Sequence, residues 1–280
     1  MRSVIKFVGI LCLILAGAAM FPQGVEASFG APSIICGQGF SSSAPTCSGA
    51  GATCASSGDL VVISLSYYQS SGAQTISGWS DTNSDSFTQD ADSATGANNY
   101  RTYMFHTVAN SSSCTTYTAT ISGTVSFGNL SITKSSGGTG ATTDAVATPL
   151  TFSSNANPQV GPNLTTSQTG DLIIAIANCA EGSNGWGAGS GYTQLDTTYS
   201  SNAWKTEYQI VGGAGTYNAT FSNSQTCSFG TSIGNLVTVA YKTGAATPRF
   251  RSHSSIISFH PHSRKIPWSD RRRRLEMSKI

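Results

Sequence analysis

Charge is scarce in this sequence: Asp, Glu, Lys and Arg make up 10% of its 280 residues. Of its 4 histidines only His106 precedes residue 250, and there is no C-x-x-C pair and no G-x-S-x-G turn. Each absence removes a class of chemistry. A zinc site assembled from closely spaced Cys and His has no ligand series to draw on. The strained nucleophile turn of α/β-hydrolases is missing, since GSGY at Gly189 does not supply it. Beyond Met20 no apolar run is long enough to cross a bilayer, and no stretch from 28 to 247 repeats its apolar residues at helical spacing.

The few charges are unevenly placed. Residues 28–247 hold four basic side chains (Arg101, Lys134, Lys205, Lys242) against ten acidic ones, which excludes a body-wide basic surface for nucleic acid. Residues 248–280 are the opposite, with nine basic residues, including the run Arg271 to Arg274, against Asp270 and Glu276. Rich in Ser, His and Pro and without periodicity, they read as a solvated, disordered tail.

The N-terminus carries its own signal. Arg2 and Lys6 precede an apolar run from Phe7 to Met20, and small residues stand at Val25 and Ala27. This is the pattern of a secretory signal peptide over 1–27, so the mature chain is expected to be secreted to the cell surface or the medium with no integral membrane segment. Setting aside Cys12 within that run leaves Cys36, Cys47, Cys54, Cys114, Cys179 and Cys227. An even number in an exported chain predicts disulfides, with Cys36–Cys47 or Cys47–Cys54 closing a local loop and the others tying distant strands.

The body from 28 to 247 is rich in Ser, Thr, Gly and Asn, and its apolar residues fall in short alternating runs: Leu60 to Tyr68, Tyr100 to Val108, Thr116 to Ser122 and Asn129 to Thr133. That is strand patterning. The same features then return in order. GDLVVIS at Gly58 recurs as GDLIIAIA at Gly170, SFTQ at Ser86 as GYTQ at Gly191, and YRTYMF at Tyr100 as WKTEYQI at Trp204. TYTATIS at Thr116 recurs as TYNATFS at Thr216, and GNLSIT at Gly128 as GNLVTV at Gly234. We therefore expect two repeats, about 58–137 and 170–244. The expected fold is all-β, a jelly-roll-like antiparallel sandwich whose two sheets are the two repeats; two tandem Ig-like sandwiches are the alternative.

The order of these motifs, GDL before an apolar strand, then Asp81, Asp85, Phe87 and Thr88, an aromatic strand, TYTATIS and later GSGYTQL, resembles Ser/Gly/Thr-rich β-sandwich domains of exported bacterial proteins, of the kind abundant in Acidobacteria-like soil bacteria. The resemblance covers about 58 to 243. It implies a surface or extracellular module and transfers no catalytic residue. The cysteines and the basic tail depart from that pattern.

Several residues are candidates for chemistry. Asp81, Asn83 and Asp85 alternate oxygen ligands as calcium loops do, although Ser86 stands where an EF-hand needs Gly, and such clusters also make ordinary hairpin turns. His106 is set by alternation on the face of Met104 and Val108, where a packed histidine is the simpler expectation than a base. Asp59 and Asp171 recur in Gly-Asp-Leu, so a turn leading into a strand explains them better than paired catalytic acids. Trp186 lies in the Gly-rich stretch AEGSNGWGAGSGY and is expected in an exposed loop, where with Tyr192 and Trp79 it would stack on sugar rings.

The leading expectation is a non-enzymatic exported module of the cell surface or matrix, structural or adhesive, needing no cofactor. The alternative is a lectin-like module binding extracellular polysaccharide, with calcium at Asp81, Asn83 and Asp85; surface proteins are the other expected partners. A secreted hydrolase ranks third.

Overall fold

The computed structural model describes residues 28–68, 74–93, 100–152, 156–178, 186–195, 204–223 and 234–244. The first half contains β1 (Ser33–Phe40), β2 (Thr46–Ser48), β3 (Leu60–Tyr68), β4 (Ile76–Asp81), β5 (Thr88–Asp92), β6 (Tyr100–Val108), β7 (Thr116–Ile121) and β8 (Phe127–Ser135). The second contains β9 (Thr142–Val146), β10 (Leu150–Phe152), β11 (Gln159–Val160), β12 (Leu164–Thr166), β13 (Leu172–Asn178), β14 (Trp186–Ala188), β15 (Thr193–Gln194), β16 (Trp204–Ile210), β17 (Gly215–Tyr217), β18 (Thr220–Asn223) and β19 (Gly234–Lys242). Among the described residues the only helical turn is the 3-10 turn Gly51–Thr53. The fold is all-β, and the strand pairs are antiparallel.

Each half builds one large sheet. In the first the order is β1-β8-β3-β6-β5, and in the second β10-β19-β13-β16-β15, with β9 also on β19. Smaller sheets, β2-β7-β4 in one half and β11-β18-β14 with β12-β17 in the other, accompany them. The strands that carry the recurring motifs thus occupy corresponding places.

Side-chain alternation explains how these sheets stack. On β3 the odd positions Val61, Ile63, Leu65 and Tyr67 join Tyr103, Phe105, Tyr117 and Ile121 in a core between the large sheet and β2-β7-β4. The even positions Leu60 and Val62 face the other way and meet Leu172, Ile174, Ile176, Val237 and Val239 of the second half. The second half has its own inner core as well, where Ala175, Ala177 and Leu236 pack on Trp186 and Phe221. Strands β3 and β13 are therefore buried on both faces, which is why LVVISL and LIIAIA read as nearly continuous apolar runs. The two large sheets pack on each other through these side chains, as in a β-sandwich, and each is covered on its outer face by a smaller sheet. Burial of a Leu, Ile or Val contributes roughly 1.5–3 kcal/mol. Exposing the seven aliphatic side chains of this central contact would cost about as much as the ~5–15 kcal/mol that holds a whole domain folded.

Register shows one difference from the motif comparison. Leu60 pairs with Val108 and Leu172 with Ile210; counting equally along each strand puts Thr102 opposite Ser66 and Trp204 opposite Asn178. Trp204 therefore corresponds in space to Thr102, two residues from the Tyr100 that the sequence match suggested. A two-residue slip leaves every side chain on the same face, so alternation cannot detect it.

Candidate functional site

The turn that opens each motif is built alike. Gly58 and Gly170 have φ of 86° and 82°, a region costly for any residue with a Cβ. Gly58 N–H donates to the Ala109 carbonyl and Ala109 N–H to that of Asp59; Gly170, Val211 and Asp171 repeat both bonds. Asp59 Oδ2 accepts the Ser56 N–H at 2.8 Å, and Asp171 Oδ2 that of Gln168 at 3.3 Å. Both aspartates hold strand-leading turns.

Trp186 corrects an expectation. It is a strand residue only 6% exposed, with ring centroids 6.0 Å from Phe152 and 5.8 Å from Phe221, so its face is not offered to a ligand. The Gly-rich sequence around it suggested a loop, but β14 pairs with β18 and turns the indole into the inner core of the second half. Tyr192 is half-buried against the same core, and burial, reinforced by Glu207, raises its pKa. Trp79 is half-buried on β4, 6.3 Å from Phe87 and 5.8 Å from Phe105, again packing in a core. Trp79 thus belongs to the core of the first half, and Trp186 and Tyr192 to that of the second.

Asp81, Asn83 and Asp85 do come together, in the turn after β4. Asp81 Oδ1 accepts the Asp85 N–H at 2.8 Å. Asp85 Oδ1 accepts the Asn110 N–H at 3.1 Å, and Asn83 Oδ1 the Ser113 hydroxyl at 2.8 Å, while the Asn83 amide donates to the Thr115 hydroxyl. Burial raises the Asp85 pKa; the Asn110 N–H opposes that shift and contact with the Asp81 carboxyl adds to it. These oxygens dock the β4–β5 turn on the segment 110–115. Among the described residues no group of three or more His, Cys, Asp or Glu is gathered as a metal would need.

Four of the six candidate cysteines are paired. Cys36–Cys47 joins β1 in the large sheet to β2 in the outer sheet, and Cys54–Cys114 ties the segment after the 3-10 turn to the one before β7. Cys179 and Cys227 lie outside the described residues.

The most concentrated polar chemistry sits where the halves meet. β5 bulges at Asp90, because Gln89 pairs with Phe105 and Ala91 with Met104. A bulge re-aims the extra residue, and here it turns a fully buried carboxylate toward the second half. Asp90 Oδ1 accepts from His106 Nδ1 at 2.7 Å and from the Thr143 hydroxyl; Oδ2 accepts from the Tyr241 hydroxyl at 2.9 Å. Burial pushes the Tyr241 phenol well up, and Asp90 adds to that. His106 lies on the expected face beside Met104, its ring 5.4 Å from that of Tyr241. The arrangement orients an imidazole as a base would need, and among the described residues the imidazole's hydrogen bond is to Asp90. Three bonds to one carboxylate, two of them from the second half, make Asp90 a clasp. Sequence reasoning missed it because a bulge breaks the alternation that assigns faces.

A second clasp closes the other end of the same contact. The Asn178 amide donates to the hydroxyls of Ser66 and, at 2.7 Å, Thr102. The Asn235 amide donates to the Ser93 hydroxyl at 3.2 Å and the Tyr100 carbonyl at 3.1 Å. Beside it, Ser66, Tyr67, Tyr100, Phe127, Asn129 and Asn178 line a shallow cleft. Phe127 is 43% exposed and stacks on Tyr68, with centroids 5.2 Å apart.

Glu207 was not anticipated. It is fully buried in the second half, where Oε2 accepts the Gly189 N–H at 2.9 Å. Burial raises its pKa to about 8, against the pull of the Gly189 and Thr220 N–H groups. Gly189 is required for that approach, since a Cβ there would lie 1.6 Å from the Thr220 carbonyl oxygen.

In comparisons with known proteins, no family model, no curated protein and no solved structure matches this chain.

Proposed function

We propose that this protein is an exported, non-enzymatic module with a structural or adhesive role at the cell surface or in the extracellular matrix. The observation that carries the reading is the pair of disulfides in the first half, one of which crosslinks the outer sheet to the large one. Such bridges persist in oxidising compartments outside the cytosol, in keeping with the signal-like N-terminus. Among the described residues no helix is long and apolar enough to cross a membrane. Asp90, the carboxylate that holds His106, is spent on bonds from Thr143 and Tyr241 of the second half. The test is fractionation of the producing cells, with non-reducing mass analysis of the protein recovered. Protein in the wall or medium with both bridges formed supports the reading, and a cytoplasmic, fully reduced protein would overturn it.

A second reading has one observation of its own. The exposed ring of Phe127 stacked on Tyr68 offers an apolar aromatic face of the kind on which sugar rings stack. Saturable binding to one member of a polysaccharide panel, assayed with calcium and with chelator and lost in Phe127→Ala but kept in Trp186→Phe, would favour a lectin-like module. Uniformly negative binding leaves the structural role.

A further inference from the structure

One cluster in the second half is used neither by that role nor by the clasps. β9 bulges at Asp144, since Ala145 pairs with Ala240 and Thr143 with Tyr241. The extra residue buries its carboxylate, whose side chain is 1% exposed. Lys242, on the neighbouring strand β19, brings Nζ to 3.0 Å from Asp144 Oδ1, its own side chain 39% exposed. Ser167 donates its N–H to Oδ2 at 2.6 Å and its hydroxyl to Oδ1 at 2.5 Å. Asp171, fully buried, meets the same carboxylate with its own carboxyl. Two acids in such contact share a proton. Their values move apart as that requires. Burial, with the contact to Asp144, raises Asp171 to about 6; for Asp144 burial is outweighed by the Ser167 and Lys242 bonds, which hold it below the usual range.

An amine and a carboxylate thus meet at 3.0 Å between adjacent strands, and a carboxylic acid abuts that same carboxylate. They are the two reactants and the proton shuttle of an amide condensation. We propose that Lys242 Nζ and Asp144 Cγ become joined by an intramolecular amide bond, with Asp171 carrying the protons, so that β9 is covalently tied to β19.

The step balances without an outside reagent. The Lys242 ammonium passes a proton to the Asp144 carboxylate across their contact, so that both reacting groups become neutral. The nitrogen lone pair then forms the N–Cγ bond while Asp171 gives its proton to the second Asp144 oxygen and takes one from nitrogen. Collapse of this tetrahedral centre breaks one C–O bond, and that oxygen leaves as water with Asp171 again relaying the proton. The net change is loss of one water, and Asp171 ends as it began. Condensation is unfavourable between free groups in water, but positioned groups react with effective molarities of order 10⁵–10⁸ M. The first half lacks the set. Ser135 stands opposite Leu60 as Tyr241 stands opposite Leu172, so Ser136 takes the place of Lys242, and that half carries the disulfides instead.

Peptide mass spectrometry on the full chain, denatured, reduced and cut with trypsin, decides the matter. Cleavage after Lys134, Lys205 and Arg249 should release peptides 135–205 and 206–249 as one branched species, lighter by one water than their sum and uncut after Lys242. Lys242→Arg, which keeps the charge, and Asp144→Ala should each restore separate linear peptides of full mass. Asp171→Asn should leave the amine and carboxylate in contact but strongly reduce the branched species. Linear peptides with cleavage after Lys242 in the unaltered protein would overturn the proposal and leave an ordinary ion pair. A branched species undiminished in Asp171→Asn would overturn the part given to Asp171.

Discussion

The two halves lay corresponding strands in the same order, yet fill their inner cores by different means. In the first, Phe105 sits among aromatic rings, 5.8 Å from Trp79 and 5.9 Å from Tyr103, with Phe87 and Tyr117 in edge contact nearby. In the second, the register position of Phe105 is taken by Glu207 and that of Phe87 by Tyr192. A large ring and a buried carboxylic acid are interchangeable at this place only because the surroundings changed too: Gly189 brings its backbone N–H to Glu207, and Trp186 lies on Phe221 instead. One scaffold position accepts opposite chemistries when backbone donors reach one of them, since a buried polar group is tolerable when hydrogen-bonded and expensive when not.

Moving the second half's solution into the first should have the largest effect. Phe105→Glu would lose the ring contacts and bury a carboxyl where the Trp79 ring stands, so we expect ~4 kcal/mol or more of lost stability by urea denaturation. A loss below ~1 kcal/mol would mean that the halves are not chemically distinct there.

The disulfides sharpen the same contrast. Cys54–Cys114 spans 60 residues and Cys36–Cys47 spans 11. Loop-closure entropy assigns them ~4 and ~3 kcal/mol, so Cys54→Ser with Cys114→Ser should lower the urea midpoint more than the equivalent pair of changes at Cys36 and Cys47. Hydrogen exchange should rise first in β2 and β7, while β13 stays protected.

Acidity separates the halves in the opposite sense. Glu207 is raised to about 8 in the folded chain, so the folded state holds a proton that the unfolded chain has released. Its contribution is fully present below the unfolded value near 4.5 and is lost as pH rises through about 8. Denaturation midpoints of the natural chain should therefore fall between pH 5 and pH 9, by a few kcal/mol for this group. Glu207→Gln should flatten the profile, leaving the variant the more stable of the two at pH 9. An unchanged slope would place the titrating group elsewhere.

The smallest expected difference is between two glycines. Gly58→Ala and Gly170→Ala each force a Cβ into a positive-φ turn and should each cost ~1 kcal/mol. Near-equal losses would show that the halves share this turn in energy as well as in shape, and a difference well above ~1 kcal/mol would break the correspondence.

How far the molecule was legible beforehand follows the same physics. Leu60 to Tyr68 and Leu172 to Asn178 announce themselves as strands because alternation and β-branched residues survive in a local window. Trp186 misled because its neighbours are glycines, whose local signal is a loop, while pairing with β18 across the fold makes it a buried strand residue. The Asp90 and Asp144 contacts were not legible at all, since a bulge inserts one residue and shifts the phase of alternation from that point on.

By itself the sequence determined what depends on residues close together in the chain: the strands, the Gly-Asp-Leu turns, the recurrence of motifs and the imbalance of charge between body and tail. Only tertiary structure decided which of 15 cysteine connectivities the four described cysteines follow, that both faces of β3 and β13 are buried, and that Asp90, Asp144 and Glu207 turn inward. Those outcomes depend on groups that meet across the fold, such as Asp90 and Tyr241, which stand 151 residues apart. Alternation in one strand records which way a side chain points, and carries no information about what it finds there.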